Sequence, residues 1–232
     1  MSKAAITTDS VYSMNENEYH KTTFTRIPPD KQQRILDAAI QEFAGKGYNA
    51  ASINVIARNA GISIGSMYSY FASKEDLFMS VMDSGHNLLE QALKEVVDMP
   101  GDLYERMDKM IEVSQRYAME NHQLNQIYIE ISTEGLSHLA RRISLKMESM
   151  TAAIYHRLID EAKAAGLVSM NLDTRALSFF LDNLVMMVQF SYASDYYRER
   201  LKVYAGDNSY NDPASLRTEL MKFIRNGLLP RA

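Results

Sequence analysis

Eight residues between positions 52 and 74 have side chains suited to gripping and reading a polyanion. Ser52, Ser63 and Ser66 are short hydroxyl donors. At helix N-termini they would stand beside backbone N–H groups that also point outward at phosphate. Gly65 has no Cβ and would let its helix approach a groove closely, while Ile64 can pack on a thymine methyl, a contact that discriminates by shape. The phenols of Tyr68 and Tyr70 can donate to phosphate oxygens, and Lys74 adds a positive charge. Each also has a plain structural use. Ser63 and Ser73 suit helix caps, Tyr68 is flanked by the apolar Met67 and Phe71, and a lone lysine is an ordinary solvated charge. Their joint spacing carries the functional reading.

The elements that must hold these residues read as helices. Pro28-Pro29-Asp30 opens one, Ile35, Leu36, Ala39, Ile40 and Phe43 form its apolar stripe, and Gly45 and Gly47 end it. Ser52 then caps a short helix that turns Ile53, Ile56 and Ala57 inward and stops at Gly61. Ser63 caps a second through Phe71, and Ser73 a third, long one carrying Leu77, Val81, Leu88, Ala92 and Val96 to Pro100. Two short helices joined by Ala60-Gly61-Ile62-Ser63 and held by a preceding long helix form a helix-turn-helix pattern. In that pattern the first helix spans the phosphate backbone and the second presents its N-terminal residues to base edges. Further helices are predicted at about 103–121, 123–133, 138–165, 173–204 and 213–229, with breaks at Pro100-Gly101, Gly135, Gly166 and Gly206-Asp207-Asn208. No run alternates with period two over more than a few residues. The expected fold class is all-α with about nine helices: a flexible N-terminal arm over 1–27, a three-helix helix-turn-helix DNA-binding domain over 28–74, and a larger helical domain over 75–232, to which the resemblance described next assigns ligand binding and dimerisation.

The segment Ile35-Leu36-Asp37-Ala38-Ala39 … Phe43 … Gly47-Tyr48 … Ser52-Ile53 … Ile56-Ala57 … Ala60 through Phe71, followed by Ser73-Lys74-Glu75 and Leu77, resembles the N-terminal domain of the tetracycline-repressor (TetR) family. The resemblance covers residues 33–78, and its most specific part runs from Gly65 to Glu75; beyond it only length, helical content and helix order agree. It implies a homodimeric repressor of a pseudo-palindromic double-stranded DNA operator, whose variable C-terminal domain binds a small-molecule inducer and releases the DNA. It also implies DNA contact for Ser52, Ile64, Gly65, Ser66, Tyr68, Tyr70 and Lys74. Ser69 stands where many members carry a bulkier residue and is given no role.

Charge distribution agrees with such a head. The 232-residue chain has a net charge of −4, but residues 21–74 hold seven basic side chains against three acidic ones, while 75–232 hold 17 against 23. The absence of Cys excludes disulfides, thiol nucleophiles and cysteine metal sites, and the five histidines include no His-x-x-x-His pair. Gly45-Lys46-Gly47-Tyr48-Asn49-Ala50 fits a dinucleotide-binding pattern but follows a helix rather than a strand. No paired Glu-x-x-His, Ser-x-x-Lys or Gly-x-Ser-x-Gly occurs. Glu130, Glu134 and His138 share one helical period and read as capping or solvated. No catalytic residue, metal site or cofactor is therefore expected, and a helical-bundle enzyme or carrier with a vestigial DNA-binding head is the alternative. The N-terminal stretch lacks the apolar core of a signal peptide, so a cytoplasmic location is expected. Leu177 to Ala193 contains Asp182, Asn183 and Gln189 and reads as too polar and too short to span a bilayer.

Ten of the 15 methionines lie at or beyond position 99, which suits an adaptable apolar pocket in the body as well as an ordinary core. The expected lining is Met110, Tyr117, Tyr128, His138, Met150, Ile154, Asn183 and Met187, around a largely apolar ligand. Dimerisation is expected from the last two helical stripes, with Phe180, Leu184 and Val188 on one and Leu220, Phe223 and Ile224 on the other. An intramolecular core competes for either stripe.

Overall fold

Side-chain caps mark where the chain enters most of its helices. The computed structural model describes residues 19–131 and 137–229. These form α1 (Thr22–Thr25), α2 (Pro29–Ala50), α3 (Ile53–Asn59), α4 (Ile64–Tyr70), α5 (Lys74–Asp98), α6 (Leu103–Glu120), α7 (His122–Ile131), α8 (Ser137–Ala164), α9 (Thr174–Ala193), α10 (Asp195–Ala205) and α11 (Pro213–Leu228), with no strand among the described residues. Ser63, Ser73, Asp173 and Asp212 each accept a backbone N–H from the first turn of their helix. Asp102 and Glu105 form a reciprocal capping box on α6.

Three departures from the expected elements have local causes. Gly47 does end regular helix, with φ +72°, but the chain resumes helical geometry at once and α2 runs on to Ala50. The predicted helix over 173–204 is two helices. Ser194 adopts extended backbone between α9 and α10 with no Gly or Pro to signal it, while Tyr192 and Ala193 are buried against Ala118. Residues 19–27, expected as the end of a flexible arm, pack on the head. Tyr19 and Phe24 are buried, and the Ser80 hydroxyl donates to the Tyr19 carbonyl at 3.1 Å. Residues 1–18 and the expected break at Gly135 lie outside the described residues.

Two cores share one long helix. Ile35, Phe43, Ile56, Met67 and Phe71 join Leu77, Phe78 and Val81 from the first half of α5, and Leu124 and Ile127 of α7 complete this head core. The head's packing therefore runs on past residue 74. Leu93 and Val96 from the second half of α5 enter a body core with Met107, Ile111, Ile159 and Leu181. Each fully buried side chain of this size contributes ~1.5–3 kcal/mol of transfer free energy, so α5 is anchored at both ends. By length and composition alone α9 would suit a membrane, yet it packs against α6, α8 and α10 and buries Leu177, Leu181, Val185 and Phe190.

Candidate DNA interface and ligand cavity

The turn between α3 and α4 is closed by backbone hydrogen bonds. Gly61 takes φ +69° and donates to the Arg58 carbonyl at 3.1 Å, while Ile62 donates to Ala57 at 3.0 Å. This pairing satisfies the last carbonyls of α3, and its left-handed residue favours glycine. The chain then enters α4 through Ser63, whose Oγ accepts from the Ser66 N–H at 3.0 Å and lies 2.9 Å from the Ser66 hydroxyl. Met67 and Phe71 turn inward, as their spacing predicts. Ile64 is 40% exposed and Tyr68 49% exposed, leaving an apolar and a phenolic side chain on the open face. A Cβ on Gly65 would meet nothing nearer than Ser63 Oγ at 3.8 Å, so this turn of helix is bare on its outer side.

The other three candidates are placed differently. Ser52 precedes α3 without a side-chain cap; its backbone N–H donates to Glu42 Oε1 at 3.0 Å. Tyr70, expected to offer its hydroxyl to phosphate, is only 7% exposed, and its ring packs 5.9 Å from that of Phe24. Its position at the end of a seven-residue helix turns it toward α1, so the structure gives it to the core. Lys74 is half-buried. Its Nζ donates to the carbonyls of Asn49 and Ala51 at 3.1 and 3.2 Å and sits 4.8 Å above the Tyr48 ring. That lysine ties the start of α5 to the C-terminal end of α2, where a cation also complements the negative end of the helix dipole.

Two supports of the recognition helix escaped the sequence reading. The Tyr68 and Tyr70 carbonyls accept from Lys21 Nζ and Lys21 N–H, both at 2.8 Å, and the Ser69 carbonyl accepts from the Thr23 hydroxyl. Residues of the short α1 segment thus cap α4, and no periodicity in a stretch this short could have revealed it.

A cavity of about 70 Å³ lies in the body, walled by α5, α6, α7, α8 and α9. Of the expected lining, Met110, Tyr117 and Tyr128 face it. Met150 and Ile154 are buried in the core, Asn183 donates to the Phe179 carbonyl at 2.7 Å, and Met187 is 39% exposed. Their chain neighbours Thr151, Tyr155, Asp182 and Met186 line the cavity instead. One residue is about 100° of rotation on an α-helix, so the apolar stripes pointed to the right helices and the wrong face. The side chain of His138 lies outside the described residues. Met82, Gly85, Leu89 and Leu93 of α5 complete one wall.

The cavity is less apolar than expected. Glu148 and Asp182 both line it. The Tyr128 phenol donates to Glu148 Oε1 at 2.5 Å, and burial together with that carboxylate pushes the phenol far above its ordinary range. Burial, with the Glu148 charge adding to it, pushes the Asp182 carboxyl up to about 6. Burial also pushes the Tyr117 phenol up to about 12, and its O–H donates to the Gly85 carbonyl at 3.1 Å. Gln189 donates to Asn125 Oδ1 at 2.6 Å, and Asn125 to the Asn121 carbonyl at 3.0 Å.

From the cavity two helices lead to the head. Leucines 89 and 93 face the cavity on the same α5 whose Leu77 and Phe78 are in the head core. On α7, Tyr128 faces the cavity while Glu130 Oε1 accepts the Tyr48 N–H at 3.1 Å. Glu130, read from sequence as capping or solvated, thus holds the turn at Gly47 within α2. A Cβ on Gly47 would stand 2.7 Å from Glu130 Oε1, so glycine serves both the positive φ and this approach.

The stripes expected at the dimer interface divide. Phe180 and Phe223 are 60% and 67% exposed, and Leu184, Val188 and Leu220 are half-buried. Ile224 is 2% exposed and belongs to the protomer's own core, because that turn of α11 faces α6. Phe179, not anticipated, is 66% exposed beside Phe180.

Residues 35–81 match the model of bacterial regulatory proteins, tetR family. The uncharacterized HTH-type transcriptional regulator TtgW of Pseudomonas putida is 31% identical over 115 residues, 47% of this chain and 81% of that protein. The HTH-type transcriptional activator FasR of Mycolicibacterium smegmatis is 23% identical over 159 residues, 64% of this chain and 73% of that protein. The crystal structure of the transcriptional regulator FadR from Bacillus subtilis in complex with stearoyl-CoA superposes with a TM-score of 0.68 at 20% identity, covering 84% of this chain and 98% of that one. With its helix-turn-helix head on an all-α body, the chain belongs to the TetR family of bacterial transcriptional regulators.

Proposed function

We propose that the chain is a cytoplasmic, dimeric, sequence-specific DNA-binding repressor that a small molecule releases from its operator. The open face of α4 carries this reading. Ile64 and Gly65 would read base edges in the major groove, and Tyr68 would donate to phosphate. Ser52, Ser63 and Ser66 add hydroxyls at the entrances of α3 and α4, and the Lys74 ammonium, with two donors used on carbonyls, keeps one for phosphate. Exposed Phe180 and Phe223 support a two-fold bundle of α9 and α11, which would place two recognition helices ~34–36 Å apart on a pseudo-palindrome.

Release follows from how little room the cavity has. About 70 Å³ is well below the ~300–1,000 Å³ of sites that hold drug-sized ligands. A ligand must therefore push the walls apart, and α5 and α7 transmit that displacement to the head through Leu77, Phe78 and the Glu130–Tyr48 hydrogen bond. The stearoyl-CoA held by Bacillus subtilis FadR supports a ligand with a long apolar part for this fold.

A gel shift with the DNA upstream of the chain's own gene tests the reading. Specific binding is expected at ~10⁻⁸–10⁻¹¹ M at physiological salt; equal affinity for random DNA overturns it. Sedimentation of F180D/F223D is expected to show monomer, and a retained dimer would place the interface elsewhere.

A further inference from the structure

We propose that the cavity ligand is an organic cation: an apolar or aromatic body carrying a protonated amine that sits between Glu148 and Asp182. This names the ligand of the site proposed above and rests on that cavity being the inducer site. The hydrogen-bond inventory of the lining is lopsided. The hydroxyls of Tyr117, Tyr128 and Thr151 are already donated to Gly85, Glu148 and the Glu148 carbonyl, and Asn125 and Gln189 have each placed an N–H. One N–H each of Asn125 and Gln189 and the Ser114 hydroxyl remain as neutral donors, but the charged groups of the lining offer acceptor capacity alone. Asp182 has no hydrogen-bond or ion-pair partner among the described residues, and Glu148 has its second carboxylate oxygen left. Among the described residues no Lys, Arg or His lines the cavity to balance the two carboxylates.

An occupant must therefore bring donors and positive charge. A carboxylate ligand would add a third anion to a confined, poorly solvated space, and a plain hydrocarbon would strand Asp182 without a partner. An ammonium would satisfy both carboxylates with charge-assisted hydrogen bonds, and Tyr117, Tyr128 and Tyr155 in the same lining supply aromatic rings, which attract cations. Met82, Leu89, Met110 and Val185 accommodate the apolar remainder.

The test is calorimetric titration of the full chain at pH 7.5 with three probes of one shape: 4-phenylbutylammonium, 4-phenylbutanol and 4-phenylbutanoate. The ammonium is expected to bind about tenfold or more tighter than the alcohol, and the carboxylate weakest of the three. In D182N and in E148Q the ammonium's advantage over the alcohol is expected to shrink to about twofold. Tighter binding of the alcohol or carboxylate, no binding of the ammonium, or an unchanged preference in D182N overturns the proposal. A gel shift with the same ammonium separates the two readings. If the probe binds and the operator stays bound, the ligand class stands and the proposed release fails.

Discussion

In the head, short polar side chains face outward over a core of Phe, Met and Ile; around the cavity, carboxylates and amides face inward among methionines and tyrosines. The head can be rigid because hydrogen bonds tie its turns, from Gly61 and Ile62 at the end of α3 to Lys21 and Thr23 at the end of α4. The cavity region carries an acid, Asp182, with no partner among the described residues, and a cavity, both of which cost stability. The contrast teaches where binding energy can act. A surface built to present side chains gains from stiffness, whereas a site meant to shift an equilibrium gains from groups left for a ligand to satisfy.

Substitutions can break that contrast, and the largest effect is expected in the head's core. Tyr70→Ala should destabilise the protein by ~3–5 kcal/mol in urea unfolding, as truncation of a buried aromatic does, while Tyr70→Phe should leave operator affinity nearly unchanged. A large affinity loss in Tyr70→Phe would return that phenol to the DNA face. Next comes Gly65→Tyr, expected to lower operator affinity about 100-fold, or ~2.7 kcal/mol, with no change in melting temperature because the position is open. Unaltered operator binding would refute α4 as the reading helix.

Asp182→Asn sharpens the comparison from the other side. A carboxyl whose pKa is raised from 3.8 to about 6 holds its proton more tightly in the folded protein than in the unfolded chain. Its contribution to stability is therefore greatest below about pH 4 and is lost as pH rises through about 6. Asn removes that loss, so D182N should be more stable than the parent by ~1–2 kcal/mol at pH 7.5, with the gain fading below pH 5. Denaturant titrations at both pH values measure it, and a gain independent of pH would mean Asp182 is solvated.

Smallest is Lys74→Ala. Loss of the bonds to the Asn49 and Ala51 carbonyls should cost ~1 kcal/mol of stability. A phosphate contact would in addition lower the salt slope of operator binding by about one unit. If the slope is unchanged, the lysine acts only through α2.

The sequence by itself determined the all-α fold, the helix-turn-helix register, and the burial of Met67 and Phe71 against the openness of Ile64, Gly65 and Tyr68. All of these rest on interactions within a few residues: serine caps, the glycine at 61, and apolar periodicity over one or two turns. Tertiary structure decided the rest. Tyr70 goes inward because α1, forty-odd residues earlier in the chain, packs over it. Glu130 caps a turn 82 residues away, and Ser194 breaks a helix without a breaker residue. On α8 and α9 apolar residues stand side by side on adjoining faces, so the stripe alone could not tell Ile154 from Tyr155 or Met187 from Met186. Which of them meets the cavity depends on the rotation each helix takes when five helices pack at once, and that rotation is a property of the assembly, not of any one segment's pattern.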